Sequence, residues 1–188
     1  MPCPDPEALV VAVVQATTIS GRPRLRLCET DSMLNHTWLD QWERVHRRLN
    51  DVRAVYRGAP RGTPAAVDAV QSFFESVHHL KDWLGNDPSV PLTKADGDAL
   101  INSSNDLKLC ADLANGSKHF KFTSTRTGDL STDIKRNDVT VFVGTGTSAH
   151  RFYIQSRGDH DVLNVAEAAV AAWASYLSRK GLIPAPTP

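Results

Sequence analysis

The sequence predicts a mainly α-helical protein, a four-helix bundle with a small antiparallel β-meander inserted between helices three and four (α+β). Three observations lead to this fold class. Apolar residues recur every three to four positions in the long segments, as they do along the buried side of an α-helix. Short segments rich in Val, Thr and Phe separate the last two helices. The 188-residue chain is long enough to bury a core without disulfides or metals.

Helix one is predicted over about residues 33–57, after a strand-like or irregular extension over 1–32. In the extension, residues 8–14 are rich in valine and predict a strand, and residues 20–23 predict a hairpin turn. Within the helix, apolar side chains are spaced 4, 3, 4, 3 and 4 residues apart, which places them on one side. These side chains are Trp38, Trp42, Val45, Leu49, Val52 and Tyr56.

Helices two and three are predicted over about 63–84 and 95–115, with a loop rich in Pro, Asn and Asp between them. Helix two begins with Thr63 as its N-cap and Pro64 at the first helical position. Its predicted buried side consists of Val67, Val70, Phe73, Phe74, Val77, Leu80 and Leu84. Helix three either ends at a glycine C-cap or continues to residue 119.

The rest of the chain combines short strands with one more helix. The predicted strands cover 120–125, 138–143 and 151–155. A Gly-Thr-Gly-Thr turn over 144–147 joins the last two strands, and the β insertion spans about 120–156. Helix four is predicted over 162–179 from its apolar spacing and its many alanines. The bundle with its insertion therefore forms one domain over 33–180, and a flexible tail follows over 181–188.

Composition and charge exclude several function classes. Lys plus Arg and Asp plus Glu both number 21, so the chain is not a protein-wide polycation for nucleic acid. Cys3, Cys28 and Cys110 are odd in number and far apart, which argues against a disulfide scaffold or a Cys-rich zinc site. Residues 8–14 are too short to span a bilayer, and no basic residue precedes them. We therefore expect a cytoplasmic protein that does not bind membranes.

The densest polar cluster lies at the end of helix three. On one continuous helix, Lys108, Asp112, Asn115 and His119 fall within roughly 60° of each other, opposite the apolar stripe. A carboxylate, an amide and an imidazole on one side can carry out acid–base chemistry. His119 would be the general base or acid, Asp112 or Asn115 would orient it, and Lys118 would hold a phosphate. The alternative is a solvated helix surface with an incidental histidine.

Helix two carries a second polar cluster, which contains Glu75, His78 and Asp82. His78 and Asp82 are four residues apart and therefore adjacent on the helix surface. The cluster predicts either a metal site or a second acid–base group, and the alternative is ordinary i,i+4 surface pairing. Spacing on a single helix does not supply a complete ligand set. We therefore predict no resident metal and no cofactor.

Helix one and the loop after it are rich in arginine. Six arginines occur within the 18 residues of 44–61, and Asp51 is the acidic residue that opposes them there. Such a basic segment predicts contacts to an RNA backbone, with a solvated surface as the alternative. The residues predicted to make these contacts are Arg44, Arg47, Arg48 and Arg57.

Two segments carry a resemblance to a known group of proteins. Residues 73–84, FFESVHHLKDWL, and residues 109–120, LCADLANGSKHF, resemble uncharacterised bacterial proteins with an ANxxKHF helix end. Those proteins are similar to the HEPN superfamily of helical bundles, which includes metal-independent RNases of toxin–antitoxin and anti-phage systems. The resemblance implies a homodimer in which two copies of the motif meet. His119 matches the family histidine, whereas no Arg stands at the position that the motif expects.

Three hypotheses about function follow. The first is a non-catalytic, HEPN-like interaction module, dimeric or bound to a partner protein, in a defence or regulatory system. The resemblance implies this because several superfamily members that lack the full motif are non-catalytic. The second is a metal-independent RNase or RNA-binding protein that uses His119. The third is a small-molecule or metal enzyme, which requires His78, Asp82, Asp112 and His119 to converge.

Overall fold

A computed structural model describes residues 37–59, 62–116 and 124–184. Within these ranges the chain forms five α-helices and one three-stranded antiparallel sheet, so the mainly α class with a small β part is confirmed. The helices are α1 (Trp38–Tyr56), α2 (Thr63–Asn86), α3 (Lys94–Ser103), α4 (Asn105–Gly116) and α5 (Val162–Arg179). The strands are β1 (Asp133–Phe142), β2 (Thr147–Gln155) and β3 (Asp159–Asp161), between α4 and α5.

Several predictions concern residues outside the described ranges. They are the strand and turn within 1–32, most of the predicted strand over 120–125, the side chains of Cys3, Cys28, Lys118 and His119, and residues 185–188 of the tail. Leu182 and Ile183, at the start of that tail, are half-buried and pack against the core. A backbone hydrogen bond of 3.0 Å from Leu182 N to Leu177 O holds this turn on the end of α5.

The prediction of one continuous third helix over 95–115 is wrong, because the chain breaks at Ser104. Ser104 has an extended backbone, with φ −120° and ψ 127°. Its carbonyl accepts a hydrogen bond from Lys108 N (3.0 Å), and its Oγ accepts one from Leu107 N (3.4 Å). Ser104 therefore acts as the N-cap of α4, and α3 and α4 are two separate short helices that each pack against α2.

The helix starts agree with prediction to different degrees. The predicted start of helix one near residue 33 is wrong, because Thr37 is the extended N-cap of α1, whereas α5 begins at residue 162 as predicted. The N-cap of α2 is Gly62 rather than Thr63, and Pro64 lies within the first turn. Val67 is exposed and Ala66 is fully buried, so the predicted buried side of α2 is wrong at its first position. The N-cap of α5 is Asp161, whose carboxylate accepts hydrogen bonds from two backbone N–H groups of the first turn.

The hydrophobic core surrounds α2, which packs against each of the other four helices. Its largest fully buried side chains include Phe73 and Phe74 of α2 and Trp173 of α5. Trp38 and Trp42 of α1 are also buried, which confirms that the apolar stripe of helix one faces the core. None of the described helices is both long enough and apolar enough to cross a bilayer.

The sheet lies beside α1 and α5 and has the strand order β1-β2-β3. Phe152 and Ile154 of β2 are buried against the helices. The Tyr56 hydroxyl fixes this contact: it donates to Phe152 O at 3.0 Å and accepts from Phe152 N at 3.1 Å. The third strand is β3 rather than the predicted segment 120–125, whose described residues Ser124 and Thr125 form no strand.

Gly97 allows α3 to approach α2 closely. A Cβ at this position would stand 2.6 Å from Lys81 Cβ and 3.2 Å from Lys81 Cα. Lys81 Cα is part of the backbone of α2 and cannot shift without moving that helix. Packing therefore requires glycine at position 97, although glycine weakens α3 locally.

We expect Gly97→Ala to destabilise the protein by roughly 1–3 kcal/mol, because the added methyl group forces α3 away from α2. Helix propensity alone would have favoured alanine by about 1 kcal/mol. The exposed Ala99→Gly variant of the same helix is the control, and it should lose only about 1 kcal/mol. Urea denaturation followed by circular dichroism measures both changes. A Gly97→Ala protein more stable than wild type would contradict the packing argument.

Candidate functional site

Asp112 is the most thoroughly hydrogen-bonded of the predicted site residues. Its side chain is 1% exposed, and its carboxylate accepts hydrogen bonds from Arg126 N (2.6 Å), Thr127 N (2.9 Å) and Thr127 Oγ1 (2.7 Å). The prediction that Asp112 lies on an outward polar side of its helix is therefore wrong. The segment that precedes β1 covers this side of α4, so α4 is buried nearly all round.

The other members of the first predicted cluster are more exposed or lie outside the described residues. Lys108 and Asn115 are half-buried on α4. Lys118 and His119 belong to the stretch 117–123, which the structure does not describe. The structure thus brings Asp112 and Asn115 onto one short helix, and the catalytic role of His119 stays a prediction.

A charged network that sequence reasoning missed joins α2, α3 and the segment before β1. Asp98 Oδ1 accepts from Lys81 Nζ at 2.8 Å and from Arg126 Nη2 at 2.7 Å. Arg126 Nη1 also donates to Asn102 Oδ1 at 2.8 Å. The hydrogen bond from Lys81 lowers the pKa of Asp98, and the one from Arg126 adds to the effect. No local pattern indicates these contacts, because the partners are 17 or more residues apart.

His78, from the second predicted cluster, is buried rather than exposed on the helix surface. It is 7% exposed, and its Nδ1 has no hydrogen-bond partner among the residues that the structure describes. Burial, together with the smaller effects of the charges on Lys81 and Arg126, lowers the pKa of His78 to about 4. The imidazole is consequently neutral near pH 7, which is unsuited to donating a proton there.

The remaining parts of this cluster do not form a metal site. Asp82 lies 3.6 Å from Lys94 Nζ across the α2–α3 connection, and Glu75 is half-buried on α2. Among the described residues, no group of three or more His, Cys, Asp or Glu side chains is arranged to hold a metal ion. The structure therefore offers no complete ligand set around His78 in the part of the chain that it describes.

The four arginines predicted to contact RNA all make local contacts. The acceptors are Gln41 for Arg44, Glu43 for Arg47, Asp51 for Arg48 and the Arg53 carbonyl for Arg57. Two of these acceptors are carboxylates, so part of the positive charge on α1 is neutralised by neighbours one turn away. Exposed pairs of this kind are weak and open to solvent, so contact with RNA stays a prediction.

A cavity of about 470 Å³ opens between the end of α1 and the start of α5. Its lining consists of Arg53, Tyr56, Arg57, Leu163 and Glu167. Arg53 and Glu167 form an ion pair across it at 2.9 Å, and the Tyr56 hydroxyl is already bound to the backbone of β2. Burial raises the pKa of Tyr56, so its hydroxyl stays protonated and serves structure.

The far end of the β1–β2 hairpin carries exposed apolar side chains. The exposed fractions are 48% for Val139, 67% for Val141, 43% for Phe142 and 96% for Val143. Phe142 lies on the opposite side of β1 from Val139 and Val141, and its ring packs against Gly58 just after α1, so the exposed apolar surface is that of the valines. Val-Thr-Val segments are typical of half-buried strands, so their composition does not indicate this exposure.

His150 links the two strands at the base of this exposed region. Its Nε2 lies 3.1 Å from Ser148 Oγ, and its Nδ1 lies 3.1 Å from the Asn137 amide of β1. The ring is 2% exposed and stacks on Phe152. A buried imidazole with a partner at each nitrogen stabilises the strand pairing, and it gives the hairpin a rigid base.

We expect Asp112→Ala to destabilise the fold by at least about 3 kcal/mol, because three buried donors lose their acceptor. Asp112→Asn retains one oxygen and should cost less. Lys108→Ala, at a half-buried position of the same helix, is the control and should change stability by about 0.5 kcal/mol. Urea denaturation measures all three. If Asp112→Ala cost no more than the control, the carboxylate would not be a structural anchor.

The buried His78 predicts that stability falls on mild acidification. Its pKa is about 4 in the folded protein and 6.5 when unfolded, so only the unfolded state binds the proton between these values. Unfolding free energy should therefore drop as pH decreases from 7.5, by about 2 kcal/mol from this group at pH 5. The carboxyl groups with a lowered pKa, such as Asp98, reduce the free energy of unfolding only at still lower pH, where the unfolded state binds their protons.

Urea denaturation of wild type and His78→Leu at pH 7.5 and pH 5 tests this expectation. The variant should lose about 2 kcal/mol less than wild type between the two pH values. His46→Gln is the control. The pKa of His46 is also lowered, by partial desolvation and by the charge of Arg53, but its side chain is exposed whereas that of His78 is buried. Equal losses in wild type and His78→Leu would contradict the assignment.

The comparisons with known proteins identify no relative. No protein-family model matches the chain. Neither the curated proteins nor the solved structures include a significant match. The function must therefore be argued from the geometry of this chain.

Proposed function

We propose that this protein is a non-catalytic interaction module that binds a partner protein through its β1–β2 hairpin. The observation that carries the proposal is the exposed apolar surface of the hairpin, formed by Val139 and Val141 on one side of β1 and by Val143 in the turn that follows. Contiguous exposed apolar side chains are characteristic of protein interaction sites. Edge strands usually carry charges or prolines. In β1, which lies at the edge of the sheet among the described residues, the charges lie in the first six residues, and the last four, 139–142, contain neither.

Several side chains elsewhere in the protein that could act as acids, bases or nucleophiles are occupied or unreactive, which supports a non-catalytic role. Asp112 is fully occupied by donors from the backbone and a threonine, and Asp98 holds two cations together. Burial raises the pKa of the Cys110 thiol, so it stays protonated and is a poor nucleophile. Groups that already stabilise the fold would have to be released before they could act on a substrate.

The HEPN-like resemblance belongs to this proposal, since several superfamily members that lack the full motif are non-catalytic. A role in a defence or regulatory system is part of the same proposal. The competing RNase hypothesis depends on His119 and predicts metal-independent cleavage of RNA. An assay with and without a chelator separates the two, because the interaction module leaves RNA intact in both.

Site-specific photo-cross-linking in cells of the native host tests the hairpin as the binding surface. We expect benzoylphenylalanine in place of Val143 to give a cross-linked protein adduct, because this side chain is 96% exposed at the hairpin end. The same substitution at Leu130, which is 60% exposed and lies outside the hairpin, is the control. Adding Val141→Lys should abolish the adduct from position 143. No adduct from 143, or equal adducts from 143 and 130, would overturn the proposal.

A further inference from the structure

We propose that the partner of the hairpin is a second copy of this chain. The two β1 strands would pair antiparallel about a two-fold axis at Thr140 and join two three-stranded sheets into one of six strands. This inference rests on the proposed function and names its partner. It follows from the free edge of β1, from the sequence of that edge and from the charges around it.

The first step concerns the free edge of the sheet. Among the described residues, β1 pairs with β2 on one side and lies at the edge of the sheet. Alternate residues of an antiparallel strand direct their N–H and C=O groups away from the neighbouring strand. Over the ten residues of β1, these groups form a row that a further strand can bind.

The second step concerns the sequence of this edge. The sequence Val-Thr-Val over 139–141 is the same in both directions. Antiparallel pairing of two copies about Thr140 therefore places valine opposite valine and threonine opposite threonine. Val139 would oppose the partner's Val141, and Thr140 would oppose the partner's Thr140. Cross-strand pairs of β-branched residues and of threonines are favourable, and the pairing would cover the valines that are now exposed.

The third step concerns charge, which favours this register over its neighbours. An axis at Asp138 would place two carboxylates opposite each other, and like charges in that position are destabilising. An axis at Asn137 would place Val141 opposite the partner's Asp133. With the axis at Thr140, the uncharged residues 139–141 form the centre, and Asp138 opposes Phe142 of the second copy rather than another charge. The zero net charge of the chain does not oppose self-association.

The residues beside this segment strengthen the assignment. Arg136 is already held by Asp159 at 3.0 Å and stacks on the ring of Tyr153 at 3.6 Å. A register that places another carboxylate beside Arg136 would therefore add little binding free energy. The uncharged half of β1 gains most from a second strand, because its apolar side chains are the ones that water now surrounds.

The mass in solution is the first test. A single-strand contact is a small interface, so sedimentation velocity should cover about 1 to about 100 µM protein. We expect wild type to approach twice its 20.6 kDa mass as the concentration rises. Val141→Lys should remain a monomer with an unchanged circular dichroism spectrum, since the side chain is 67% exposed. Leu130→Lys, at an exposed apolar position outside β1, should dimerise like wild type.

Disulfide trapping tests the register. In a background of Cys3→Ser and Cys28→Ser, Thr140→Cys should form a symmetric dimer when oxidised with copper phenanthroline. Opposed residues of antiparallel strands have Cα atoms about 4.5–5.5 Å apart, which suits a disulfide. Val143→Cys is the control: it is more exposed, but each copy lies three residues from the axis, so the two Cα atoms would be about 20 Å apart.

The outcomes separate this inference from the proposed function. A wild-type protein that stays monomeric at every concentration overturns the second copy as partner. Trapping at position 143 but not at 140 overturns the register. If photo-cross-linking at position 143 captures a different protein, the self-pairing is wrong but the hairpin remains a binding surface. If it gives adducts only within one chain, both the self-pairing and the hairpin as a binding surface are wrong.

Discussion

The buried carboxylate of Asp112 fixes the position of the sheet relative to the helices. It binds two consecutive backbone N–H groups and the Thr127 hydroxyl. From Thr127 the polar contacts continue to Thr132 (3.2 Å) and then to Ser156 (2.8 Å), at the end of β2. An unbroken chain of buried polar groups thus runs from α4 to the sheet, and its members are costly to separate because water cannot replace the lost partners.

This constraint explains why the predicted catalytic groups have structural roles. The segment that Asp112 holds also carries Arg126, which bridges Asp98 and Asn102 of α3. The same cation helps to keep His78 neutral. One short segment therefore links α3 to α4 and adds to the effect of burial on the pKa of His78, and its groups are occupied by the fold rather than presented to a substrate.

Sequence reasoning predicts the parts of this fold that depend on local periodicity. The apolar spacing of α1 and α5 indicates their bounds to within a few residues of those observed. The break at Ser104 escapes it because apolar residues continue at helical spacing on both sides, although a serine before Asn105 and Asp106 is a typical N-cap signal. The burial of Asp112 depends on a segment 14 residues later, and no local pattern specifies where that segment packs.

The two edges of the sheet are protected differently, and this difference determines how the protein can associate. β3 has three residues and leads at once into α5 through its cap Asp161, so its edge is short. β1 has ten residues, and its far half carries valines without a charge among them. Pairing of β1 with an unlike edge would leave a free strand and allow growth into fibres, whereas pairing about a two-fold axis uses both β1 edges and closes the assembly. Because β3 is too short to continue the sheet, such a dimer would stop at six strands.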